Sequence, residues 1–77
     1  MTKQELKATL ASGFHLVEFL KKSGERTARV LTLDPAHLPE FSEDARPKKE
    51  PAEYVSAWDF KNQKWIALNP HKVISSN

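Results

Sequence analysis

"FHLVEFLKKSGERTARVLTL", residues 14–33, decides the fold. Two runs rich in β-branched and aromatic residues, 14–22 and 26–33, flank a glycine-bearing break, the pattern of an antiparallel hairpin. In the second run Arg26, Ala28, Val30 and Thr32 alternate with Thr27, Arg29, Leu31 and Leu33. Ser23-Gly24 offers a two-residue connection between the runs. The first run is apolar on both faces, with Phe14, Leu16 and Leu20 on one side and Val17 and Phe19 on the other. A strand of that kind is expected to be covered twice, by a core on one face and by another element on the other.

Upstream, residues 3–11 supply that other element. In "TKQE" Thr2 is placed to accept from the backbone N–H of Glu5 while the Glu5 side chain reaches back, a capping box. Leu6 and Leu10 share one helical face, and Gly13 stands where a left-handed terminator belongs. A helix this short does not persist alone in water. Its leucines are therefore expected to dock on the hairpin.

Downstream, "LDPAHLPEF" (33–41) carries two prolines and an Asp-Pro turn signal, so the chain leaves the sheet there, with Leu38 and Phe41 candidates to tuck inward. Residues 40–52 are polar and lack hydrophobic periodicity, which reads as a mobile charged loop. Strand pattern resumes over 53–68 as a second hairpin, "EYVSAWDF" then "KWIAL", turning near Asn62. Residues 70–75 supply a proline-initiated turn and a closing strand through Val73 and Ile74. The whole, 1–77, reads as a single domain, mainly β: about five short strands in a small, strongly bent barrel with a short N-terminal α-helix.

Composition bounds the function. The chain has no cysteine, so neither a disulfide nor a thiolate metal site staples it, and a reducing compartment is the expected setting. No stretch approaches the apolar length of a membrane span, and the N-terminal residues hold no continuous apolar run. A soluble cytoplasmic protein with no membrane partner is expected. The net charge of +2 is unevenly spread: residues 40–53 carry −2 and the remainder +4, a basic body with an acidic insert.

The motifs resemble a known family. "GFHLVEFLKKSGERTARVLTLDPAHLP", a charged linker and "VSAWDFKNQKWIALNPHKV" are similar to small phage-encoded proteins described as SH3-like β-barrels. The matching residues are Phe19, Lys21, Lys22, Gly24, Thr32, Leu33, Leu38, Pro39, Val55, Trp58, Asp59 and Trp65. That family commonly places an arginine directly after the second tryptophan, where Ile66 stands here, so no function tied to that arginine carries over. The resemblance implies an SH3-like barrel, a bacteriophage origin and the cytoplasm of an infected host. It carries no reaction and no catalytic residue.

The residues themselves argue against chemistry. His15, His37 and His71 lie far apart without paired helical spacing, so no metal site is expected. Gly13 and Gly24 are each needed in a local turn, which leaves no phosphate-cradling loop. No catalytic residue, cofactor or small-molecule substrate is expected. Trp58 and Trp65 are read either as core or as an aromatic platform, and Asp59 as the residue that holds the turn near Asn62. Lys21, Lys22, Arg26 and Arg29 surround one hairpin and Lys61 and Lys64 decorate the other. On one side of a barrel they would form a basic face, with Tyr54 as an aromatic anchor. The expected activity is a non-enzymatic accessory one, binding a host or phage protein through that face. The alternative is nucleic-acid binding by the same bases.

Overall fold

The computed structural model describes residues 1–76. Two helices, α1 (Lys3–Leu10) and α2 (Ser42–Ala45), accompany five strands: β1 (His15–Leu20), β2 (Arg26–Thr32), β3 (Val55–Asp59), β4 (Lys64–Leu68) and β5 (Val73–Ser76). The strands form one antiparallel sheet in the order β4-β3-β2-β1-β5. Among the described residues no ladder joins β4 to β5, so the sheet is open. It is also bent. The β2–β3 ladder holds only Leu31↔Asp59 and Thr32↔Trp58, and the β1–β5 register slips between Glu18 and Phe19, which increases local twist.

Each local signal acts through short contacts. Thr2 Oγ1 accepts from Glu5 N at 3.1 Å while Glu5 Oε1 accepts from Thr2 N at 2.9 Å, the expected capping box. Gly13 adopts φ +74 in the turn that follows. Its N–H donates to Asp34 Oδ2 and its carbonyl accepts from Thr32 Oγ1, both at 2.8 Å, so the end of β2 clamps the turn into β1. Two 3₁₀ turns, Pro35–His37 and Pro70–Lys72, are built alike, with Asp34 and Asn69 each accepting from the amide two residues on at 2.9 Å.

The first hairpin closes differently from expectation. Lys21 N donates to Glu25 O and Gly24 N to Lys21 O, both at 2.9 Å, leaving the three-residue loop Lys22-Ser23-Gly24. Gly24 takes φ +89, the left-handed position that such a loop gives to glycine.

The core is one cluster. Leu6 and Leu10 of α1 pack with Val17, Phe19, Leu31, Val55, Ala57 and Leu68, while Leu33, Ile66 and Val73 close its margins. Hence β1 is not covered on both faces: the helix leucines join the same core as Val17 and Phe19, and Leu16 on the other face is 47% exposed. The strand covered twice is β3, every residue of which is buried. Ile66, where the resemblance would place arginine, faces this core opposite Ala57. Among the described residues no helix is long and apolar enough to cross a membrane.

Candidate functional site

The basic residues separate into two groups. A cleft of 260 Å³ opens where the tip of the first hairpin, the entry to β3 and the second 3₁₀ turn converge. The Val73↔Phe19 and Val55↔Leu68 pairs bring these segments together. Phe19 and Leu68, both buried, contribute apolar surface, while Lys21, Lys22, Lys72 and Tyr54 surround it. Among the described residues no carboxylate lines the cleft. Such a hollow suits an anionic group attached to an apolar body: ammonium groups attract the charge and the aromatic and aliphatic surface takes the rest. Of the residues expected to form a basic face, Lys21, Lys22 and Tyr54 meet here. Lys72 was missed because it sits in a segment read only as a closing turn.

Arg29 and Lys61 line a second hollow of 180 Å³, beside Leu16, Val30 and Asn62. Arg29 is already engaged. Its Nε lies 3.7 Å from Oδ2 of Asp59, whose side chain is fully buried. Asp59 also accepts from Asn62 N at 3.1 Å and Asn62 Nδ2 at 2.8 Å, and its carbonyl accepts from Gln63 N at 2.8 Å. Asp59 therefore holds the turn between β3 and β4, as its position after Trp58 led us to expect. Arg26 sits opposite Leu20, and Lys64 opposite Asp59, at ladder ends. They line neither hollow. The six bases thus do not form one set, because the hairpin tips belong to different parts of the bent sheet.

The four-residue connection Phe60-Lys61-Asn62-Gln63 fixes the tryptophans. Gln63, not Asn62, takes positive φ, at 55°, and Trp58 pairs directly with Trp65 across the ladder. Both rings therefore share one face, with centroids 5.6 Å apart in an edge-to-face arrangement. That face is covered by residues 41–50. Phe41 meets Trp58 edge-on at 5.8 Å, Arg46 lies 4.9 Å from the Trp65 ring centroid, and Trp65 Nε1 donates to Ser42 O at 2.6 Å. Trp58 is 1% exposed, and its Nε1 has no hydrogen-bond partner among the described residues. The tryptophans are a second packed layer and supply no open platform.

Within the segment read as a mobile loop, α2 and Glu50 anchor the chain. Glu50 Oε2 accepts from Ser56 N at 2.7 Å, an amide on β3 beyond the end of the short β2–β3 ladder. Glu50 Oε1 meets Lys3 Nζ at 2.7 Å and Lys7 Nζ at 3.4 Å. Burial pushes this carboxyl up, but the Lys3 hydrogen bond, the Ser56 amide and the charge of Lys7 outweigh it and hold the pKa at about 2.

Sequence reasoning also missed a row of rings. Phe14 lies 4.2 Å from His37 and 4.4 Å from Phe60, centroid to centroid, and both phenylalanines are exposed. The clamp of Thr32 and Asp34 on Gly13, and the bond from Phe60 N to Val30 O at 2.9 Å, bring them together. His15 contacts Ser12 O through Nε2 at 2.7 Å. Among the described residues, no three His, Asp or Glu side chains gather as a metal ion requires. Set against family models, curated proteins and solved structures, the chain matches none.

Proposed function

We propose that the chain is a non-enzymatic binding module that takes an acidic segment of a partner protein into the cleft between Lys21, Lys22, Lys72 and Tyr54. The observation that carries this reading is the lining itself: three lysines and a tyrosine around apolar surface, with no carboxylate among them. Charge steers the encounter and the apolar surface retains the partner. On this reading the fold is an opened SH3-like barrel. Its support is the strand order, the bend at Glu18/Phe19 and the short turn before β5. The resemblance to phage-encoded proteins makes a host or phage protein the partner.

Titration with the synthetic peptide Glu-Glu-Phe-Glu-Glu, followed by amide and side-chain NMR, tests it. Shifts should concentrate at Lys21, Lys22, Tyr54, Leu68 and Lys72. Shifts spread evenly over all exposed lysines would contradict a specific cleft.

A second reading, single-stranded nucleic acid, rests on the exposed Phe14–His37–Phe60 row, since bases stack on such rings. Lys61 and the already paired Arg29 line a hollow that none of these rings enters, and Asp34 lies 3.8 Å from His37. An oligonucleotide that shifts Phe14 and Phe60, and loses affinity steeply with salt, would favour it over the first.

A further inference from the structure

The molecule carries a counterpart to its own cleft. Phe41 stands at the start of α2 and is 57% exposed, with Glu40, Glu43 and Asp44 within three residues of it in sequence and Glu43 paired to Arg46 Nη1 at 3.3 Å. The turn that presents it is held in place. Ser42 N and Ser42 Oγ both donate to Pro39 O, at 3.0 and 2.6 Å, and Trp65 fixes the Ser42 carbonyl from below. A side chain presented on a rigid turn loses little freedom on docking. From the cleft, three lysines and an apolar surface face outward with no acid of their own.

We propose that the acidic turn of one copy docks in the basic cleft of a second copy, Phe41 entering over Phe19 and Leu68 while Glu40, Glu43 and Asp44 face Lys21, Lys22 and Lys72. This inference rests on the cleft reading above and names its partner as the chain itself. The turn cannot reach the cleft of its own chain. It is fastened to Trp65, three residues from Leu68 along β4, a separation of about 10 Å, and Phe41 is seated on Trp58. Because turn and cleft are different surfaces, the contact is heterologous, and copies join head to tail into rings or open chains. Its small area makes it weak and concentration-dependent.

Sedimentation equilibrium of the full chain, from about 10 μM to about 1 mM at low salt, reads this out. The average mass should climb above the monomer with concentration and return to it at about 0.5 M salt. Reversing the cleft (Lys21→Glu with Lys22→Glu) or the turn (Glu43→Lys with Asp44→Lys) should leave each protein monomeric. An equimolar mixture of the two should associate again, because the unaltered acidic turn of the first meets the unaltered basic cleft of the second, and the reversed turn and reversed cleft are also opposite in charge. All four substitutions in one chain should restore association, which rules out misfolding as the cause of the losses. A monomer throughout, with the Glu-Glu-Phe-Glu-Glu peptide still shifting the cleft, overturns self-docking and leaves the cleft reading standing. A monomer whose cleft ignores the peptide overturns both.

Discussion

Trp65 donates its indole N–H to the carbonyl of Ser42 at 2.6 Å, tying β4 to α2 across 23 residues of sequence. The bond explains why a charged segment without hydrophobic periodicity has a defined place. It turns one edge of the tryptophan pair into an anchor, and the Arg46 guanidinium closes over the ring. The Trp65→Phe variant keeps an aromatic ring and removes the donor. It should cost about 1–2 kcal/mol, and amide exchange should accelerate most in α2. Equal acceleration across β1 and β2 would mean that the bond is not what holds the segment.

Trp58 poses the reverse case, a buried indole whose N–H has no partner among the described residues. Truncation to alanine empties the space between α2 and the sheet and should cost about 3–5 kcal/mol. Trp58→Phe should cost less than about 2 kcal/mol, because removing an unpaired buried donor offsets part of the lost packing. In the wild-type protein acrylamide should scarcely quench Trp58. Wild-type fluorescence that is fully quenchable would contradict its burial.

Glu50 makes stability depend on acid. Its carboxyl is held at about 2 in the folded chain against an ordinary 4.5. A depressed pKa contributes stability that is complete above the unfolded value and is lost as pH falls through the folded one. The contribution is on the order of 2 kcal/mol once partial exposure is allowed for. Urea unfolding should therefore show Glu50→Gln less stable than wild type at pH 6, with the gap shrinking between about pH 4.5 and 2. The carboxyl of Asp34 is also lowered, by the Gly13 and Ala36 amides and the charge of His37, so the difference between the two proteins is the quantity that isolates Glu50. A gap that stays constant with pH would contradict the clamp.

The legible part of this structure was the local part. The Thr2–Glu5 box, the αL glycines and the hold of Asp59 on Asn62 each involve groups within a few residues, whose geometry follows from the residue types. Registers were harder. One additional residue in the first hairpin loop and two in the second changed the turns, and the second change sets Trp65 directly opposite Trp58 on the sheet face they share. The layer over the tryptophans was illegible because its anchors, Ser42 and Glu50, are polar and carry no periodicity. Lys72 escaped notice for a similar reason: only the antiparallel pairing of β5 with β1 brings it to Lys21 and Lys22. The expectation of one basic face failed because proximity in sequence to a hairpin tip does not specify which way a bent sheet aims it.

Affinity for the Glu-Glu-Phe-Glu-Glu peptide, compared between two variants of equal charge, tests the central claim most directly. One removes Lys21, Lys22 and Lys72 to alanine; the other removes Arg26, Lys61 and Lys64. The cleft account predicts that the first loses about tenfold or more while the second loses no more than about threefold, the share owed to long-range steering. Equal losses in the two would show that net charge alone attracts the peptide, and that the cleft between Lys21, Lys22, Lys72 and Tyr54 is not a binding site.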